Sequence, residues 1–272
     1  MPDTDVVTTD TYTLYRGRAP LLVSLPHDGS EIPAGLASRM TPHARRAPDT
    51  DWHVSRLYAF ARHELGASML VPRYSRYVVD LNRPPDDTSL YPGQNTTGLC
   101  PARCFSGDEV YVDGAQPDEA EVAQRVDTYW RPYHDALAAE LARLRGAHAR
   151  VLLWEGHSIR GSDLPFLFEG RLPDLNLGTS GGASCRPAVQ QALELVLGRQ
   201  HAFDWVANGR FRGGYITRQY GRPEDGIDAV QLETSQRAYM DEASTDYDDE
   251  RAARLQPLLS QMLRAALDAG RR

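Results

Sequence analysis

Three short apolar runs, each ending in a group that can do chemistry, constrain this chain more than any other feature of its sequence. Leu21-Leu22-Val23-Ser24-Leu25 runs into Pro26-His27-Asp28-Gly29, Val151-Leu152-Leu153-Trp154 into Glu155-Gly156-His157-Ser158, and Ala229-Val230-Gln231-Leu232 into Glu233-Thr234. A short apolar run closed by turn residues is how a buried strand ends at the carboxyl edge of a sheet. In open α/β sheets that edge is where ligands bind, because loops carrying polar groups converge there on a rigid base. Two imidazoles and a carboxylate at one rim argue for an enzyme. Period-two alternation also puts Glu155 on the same strand face as His157, either to orient the imidazole or to touch a ligand.

Composition bounds the alternatives. The chain has 272 residues, of which 41% are hydrophobic and 25% charged, enough for one large α/β domain spanning residues 1–272. A formal charge of −7 argues against nucleic acid as a partner, since phosphate binding needs a clustered positive field. Met1 to Asp10 carries acids where a signal peptide would be basic, and no window approaches the roughly 18 apolar residues of a membrane span. A cytoplasmic protein with a small-molecule substrate is expected. Cys100, Cys104 and Cys185 are too few for a disulfide scaffold and should remain thiols.

In chain order, Thr11 to Tyr15 reads as an edge strand, and Val54, Leu57, Tyr58, Ala61 and Leu65 space a helix of about four turns after Asp49-Thr50-Asp51. Asp51 lies on the inward side of that helix start, as a site residue or simply as a partner of the helix dipole. Ser68 to Pro72 and Tyr77 to Leu81 read as strands, the second closing on Asn82 and Arg83. A guanidinium beside an amide suits a carboxylate, while Asp86 or Asp87 offers Arg83 a structural partner instead. Pro84 to Gly114 is a long loop with at most a hairpin, of the kind that usually covers a site. Asp118 to Gly146 is helical, with Pro132 predicting either a kink or two helices meeting near Trp130-Arg131. Leu172 to Ser184 reads as a strand with a glycine-rich end, followed by a helix from Pro187 to Leu197. Trp205 to Phe211 and Tyr215 to Gln219 read as a strand pair near Arg212 and Arg218, and a terminal helix runs from Tyr247 to Ala269.

Two histidines and one carboxylate are a sufficient donor set for a catalytic zinc site, which takes three protein ligands and keeps one position open. A second, free carboxylate is then required to move protons, and Glu233 is the candidate. No HExxH or CxxC is present to confirm the metal locally.

The motifs Leu25-Pro26-His27-Asp28-Gly29, Thr50-Asp51-Trp52-His53, Tyr77-Val78-Val79-Asp80-Leu81-Asn82-Arg83-Pro84, Glu155-Gly156-His157-Ser158-Ile159, Leu172 to Gly178 and Gly213-Gly214-Tyr215-Ile216-Thr217-Arg218 together resemble the N-formylglutamate amidohydrolase family. That family is similar in turn to zinc carboxypeptidases and aspartoacylase. The resemblance implies a three-layer α/β/α fold with a mixed, mostly parallel central sheet. It implies zinc, Zn2+, held by His27, His157 and an acid. The carboxypeptidase pattern puts that acid three residues after the first histidine, where this chain has Ser30, so Asp51 or Glu31 must substitute, with Asp51 preferred. By the same comparison Asn82 and Arg83 hold a substrate carboxylate, Arg76 steadies the oxyanion, Glu155 supports His157 and Glu233 is the catalytic acid-base. The implied reaction is hydrolysis of N-formyl-L-glutamate in histidine degradation, with Arg83, Arg212 and Arg218 sharing the dicarboxylate. The rivals are hydrolysis of another N-acyl amino acid, such as an N-acyl aspartate or N-succinylglutamate, and a non-catalytic carboxylate-binding protein on the same fold.

Overall fold

The structure is a computed structural model, and it describes residues 5–90, 93, 95–162, 164 and 166–270. The signal-peptide reading therefore falls outside the described residues at positions 1–4, as does the long-loop reading at positions 91, 92 and 94. Among the described residues no helix is long and apolar enough to cross a membrane.

Among the described residues eight strands make one sheet: β1 (Val6–Thr8), β2 (Tyr12–Tyr15), β3 (Leu21–Ser24), β4 (Ser68–Pro72), β5 (Val151–Ile159), β6 (Leu175–Gly178), β7 (Trp205–Ala207) and β8 (Ile227–Ser235). Their order is β1-β2-β4-β3-β5-β8-β6-β7. The central run β4-β3-β5-β8 is parallel throughout, as is the β6-β7 pair, whereas β1-β2, β2-β4 and β6-β8 are antiparallel. The sheet is thus mixed and mostly parallel, as expected. All residues of β3 and β5 are buried, which explains the unbroken apolar starts Leu21 to Val23 and Val151 to Trp154: a strand covered on both faces has no solvent side to show.

The helices are α1 (Ala34–Ala37), α2 (Val54–Leu57), α3 (Ala59–His63), α4 (Glu119–Arg125), α5 (Arg131–Ala147), α6 (Pro187–Arg199), α7 (Tyr215–Tyr220) and α8 (Asp249–Gly270). On one face of the sheet, α2, α3, α6 and α8 pack on Leu21, Val23, Trp154 and Val230. On the other, α5 and α7 cover Leu22, Leu153 and Ala229. The three-layer arrangement follows from this alternation of inward residues. A single π-helical turn, Val126–Trp130, joins α4 to α5 two residues ahead of Pro132. A proline has no N–H for the carbonyl four residues back, and of the two expectations it is the second that holds: two helices meet at Trp130-Arg131, through a wider turn.

Several expectations are corrected. Tyr77 to Leu81 is not a strand but a sequence of turns, because its apolar residues serve two cores: Tyr77 and Val78 join the cluster under α1, while Val79 and Leu81 join the α5 face. Tyr215 to Gln219 is helix α7, not a strand, and β7 ends at Ala207 rather than Phe211. The helix expected from Val54 to Leu65 is broken at Tyr58, whose ψ of 8° is not helical and whose ring stacks on Phe60. Thr11 to Tyr15 is covered by β1 and so is not at the edge, and the strand read from Leu172 to Ser184 is confined to Leu175–Gly178.

Candidate active site

The three sequence runs become β3, β5 and β8, adjacent and parallel at the centre of the sheet. Their carboxyl ends therefore open on the same side. His27 follows β3 within the turn that leaves the sheet, and His157 and Glu233 stand directly opposite each other in the β5-β8 register. All three are buried.

Asp51 reaches this edge because its backbone N–H donates to the His27 carbonyl at 3.0 Å, which folds the Thr50-Asp51-Trp52 turn onto the β3 end. Its Oδ2 lies 3.1 Å from His157 Nδ1 and 3.7 Å from His27 Nδ1, and accepts from Ser158 N at 3.0 Å. One donor atom from each of His27, Asp51 and His157 falls within 4.8 Å of the others. Glu31, the alternative acid, is instead half-exposed and paired with Arg73 at 2.9 Å. The structure thus brings together Asp51 and not Glu31.

The outer nitrogens test whether these residues suit a metal. His27 Nε2 lies 2.7 Å from Asp80 Oδ1, and His157 Nε2 lies 3.5 Å from Glu155 Oε2. His27 with its proton on Nε2, facing Asp80, turns its Nδ1 lone pair toward Asp51 Oδ2, the carboxylate-histidine support that metal-binding imidazoles almost always have. His157 Nε2 lies between Glu155 and the Asn82 amide, and its Nδ1 faces Asp51. The donor set fits a divalent cation of the zinc type. Glu155 is fully buried, neither of its carboxylate oxygens has a hydrogen-bond partner among the described residues, and Oε2 lies 3.5 Å from His157 Nε2.

The charges respond to this crowding. Burial alone would raise Asp51, but hydrogen bonds and positive charge from His157 and His27 hold it below the usual carboxylate range. Burial disfavours the His157 imidazolium, yet Asp51 and Glu155 outweigh it and raise that group to about 10. Glu233 has no such hydrogen-bonded cation. Burial pushes it up to about 8, with His157 opposing and Asp51 reinforcing the shift.

Arg76 donates through Nη2 to Asp80 Oδ2 at 2.7 Å, lies 3.9 Å from Asp51 and sits over the Phe105 ring. Burial would weaken its charge, but the neighbouring carboxylates keep it. Asn82 is held at both ends of its amide. Oδ1 accepts from Ile216 N at 2.9 Å, and Nδ2 lies 3.1 Å from His157 Nε2. Gly214 is required beside it, since a Cβ there would come within 2.5 Å of the Asn82 amide.

The cavity above these groups is lined by His27, Arg76, Asp80, Asn82, Arg83, His157, Gln231 and Glu233. Leu90, Asn95, Thr96, Thr97 and Phe105 of the long loop form one wall, and Ile159, Leu167, Arg210 and Phe211 another. The long loop does line the cavity. Arg212 and Arg218 do not: both are exposed, Arg218 donating to the Gly213 and Leu90 carbonyls and Arg212 to that of Asn208. The cation that the β7-α7 connection brings to the cavity is Arg210. Sequence reasoning missed Arg210 and Asp80. Asp80 carried a signal, an acid inside an apolar run two residues before Asn82, whereas nothing local separates Arg210 from its arginine neighbours.

The profile of the N-formylglutamate amidohydrolase family matches residues 19–240. The N-formylglutamate deformylase of Pseudomonas aeruginosa is 48% identical over 257 residues, covering 94% of this chain and 96% of its own. That of Pseudomonas putida is 46% identical over 259 residues, covering 95% and 96%. Among solved structures, N-formylglutamate amidohydrolase from Ralstonia eutropha JMP134 superimposes with a TM-score of 0.82 at 27% identity, covering 97% of this chain and 99% of that one. A gene product of Agrobacterium tumefaciens, at 18% identity and a TM-score of 0.70 over 94% of this chain and 96% of its own, shares the fold. The strand-end histidines, the Asn82-Arg83 turn and the β8 glutamate all fall inside the matched segment, and the chain belongs to the N-formylglutamate amidohydrolase family.

Proposed function

We propose that this chain hydrolyses N-formyl-L-glutamate to formate and L-glutamate. The observation that carries the reading is the convergence of His27, Asp51 and His157 beside a free buried carboxylate, Glu233, in a cavity that also presents Arg76, Arg83 and Arg210. The names of the two Pseudomonas relatives support the substrate. His27, Asp51 and His157 would hold a divalent cation, with zinc expected. A cation there supplies Lewis acidity, worth several kcal/mol of stabilisation for negative charge developing on an oxygen.

The chain's own residues do the rest. Arg83 and the Asn82 amide bind the α-carboxylate of the substrate, and Arg210 takes the side-chain carboxylate in place of Arg212 and Arg218. Arg76, kept charged by Asp80, faces the oxygen of the formyl group as it gains charge. Glu233 takes a proton from the attacking water as the oxygen bonds to the formyl carbon. It then passes that proton to the nitrogen as the C–N bond breaks. Burial favours the protonated form of Glu233, which brings its two protonation states closer in energy than those of an exposed carboxyl and suits both halves of that exchange. A role in histidine degradation follows from the substrate and belongs to the same proposal.

The test is formate release from N-formyl-L-glutamate beside the N-acetyl and N-succinyl analogues, with metal content measured on the same preparation. Preference for the formyl substrate and about one divalent ion per chain are expected. Equal turnover of formyl and acetyl substrates would overturn the deformylase assignment in favour of a broader N-acyl amino acid hydrolase. Ligand binding without metal or turnover would leave a carboxylate-binding protein.

A further inference from the structure

The turn that carries Asn82 and Arg83 is fixed from behind with unusual completeness. Three consecutive carbonyls each accept a hydrogen bond from outside the turn. Leu81 O faces His134 Nε2 at 2.9 Å, Asn82 O accepts from Tyr215 N at 3.2 Å, and Arg83 O accepts from Trp130 Nε1 at 2.9 Å. Two of these donors are side chains of one helical segment. Trp130 ends the π-helical turn, His134 lies one turn later in α5, and their rings stack 3.7 Å apart at 20°. His134 Nδ1 faces the Tyr220 hydroxyl at 2.9 Å, so the ring can accept there and donate to Leu81.

Neither ring lines the cavity, and both are buried. The Arg83 side chain, by contrast, makes no hydrogen bond to any described residue and meets Asp80 only through its charge, so the position of its backbone largely sets where the guanidinium starts. A long side chain anchored only at its Cα magnifies every displacement of that Cα. The π turn adds one residue to a helical turn, an irregularity that is rare and frequent at functional sites, and here it sits where the indole must reach a carbonyl.

We infer that Trp130 and His134 are positioning residues for carboxylate recognition: by holding the Leu81 to Arg83 backbone they aim the Asn82 amide and the Arg83 guanidinium at the substrate α-carboxylate. This rests on the deformylase reading above and deepens it by naming what sets substrate affinity at that end of the cavity.

Trp130→Phe keeps the stack on His134 and removes only the indole N–H. With N-formyl-L-glutamate, KM should rise about tenfold, the effect of one lost hydrogen bond on binding, while kcat stays within about twofold. The analogue lacking the α-carboxylate, N-formyl-4-aminobutyrate, should show unchanged kcat/KM. His134→Phe should act in the same direction and His134→Gln, which retains an N–H donor, should recover most of the loss. An unchanged KM in both Trp130→Phe and His134→Phe, or an equal loss on the two substrates, would overturn the inference. Calorimetric titration with L-glutamate separates this from the parent reading. If the wild type releases no formate, that reading fails, yet a tenfold weaker Kd in Trp130→Phe still supports the positioning role and an unchanged Kd rejects it.

Discussion

Two buried glutamates on opposite rims of the sheet show how differently one side chain can be treated. Glu140 of α5, near the amino ends of the parallel strands, is 1% exposed and saturated: Ser68 donates to it at 2.5 Å, Arg143 at 2.6 and 2.9 Å, and Arg16 lies 3.6 Å away. Glu233, at the carboxyl ends, is also buried but pairs with no arginine among the described residues, and burial raises it to about 8. Glu155 beside it has no hydrogen-bond partner among the described residues. Burying a carboxylate is costly unless it is paired, so a chain under selection for stability alone would treat both rims as it treats Glu140. The unpaid rim is where the chemistry is.

That contrast can be broken at three points. The largest effect is expected for Glu233→Gln, which should lower kcat by roughly 10³-fold while leaving bound metal and the melting temperature unchanged or slightly raised. Retained turnover would remove Glu233 from the proton exchange and erase the distinction between the rims. Glu140→Ala should do the opposite. It removes the acceptor shared by buried Ser68 and half-exposed Arg143, so chemical denaturation should show a loss of about 3 kcal/mol with kcat of the folded enzyme intact. A fall in kcat without a fall in stability would mean that the amino rim also serves catalysis. The smallest effect is expected for Glu155→Gln, which should weaken metal binding by roughly 10 to 100-fold, read from competition with a chromophoric chelator, with little change in stability. Unchanged affinity would show that His157 needs no outer carboxylate.

The carboxyl rim was legible in sequence because a parallel strand buried on both faces has one readable form, an apolar run with an abrupt polar end. His27, His157 and Glu233 all sit at such ends. Asp51 was harder, since an acid at a helix start has an ordinary explanation, and its hydrogen bonds to residues on two other elements exist only after folding. The Tyr77 to Leu81 and Tyr215 to Gln219 misreadings share a cause. Both are short, aromatic and β-branched, and in both tertiary contacts override that preference: the first divides its side chains between two cores, and the second spends the N–H groups of Tyr215 and Ile216 on Asn82. Arg210 was out of reach because its neighbours Arg212 and Arg218 have the same charge, and which of them enters the cavity is set by the course of the β7-α7 connection.

The pairing of His157 with Glu233 across β5 and β8 has a practical consequence. Neighbouring strands lie about 4.8 Å apart, a spacing fixed by main-chain hydrogen bonds rather than by side-chain choice. The gap between the imidazole and the proton carrier is therefore built into the most rigid part of the molecule. Loop redesign around Phe105, Leu167 or Arg210 could recut the acyl pocket for new substrates while that interval stays the same.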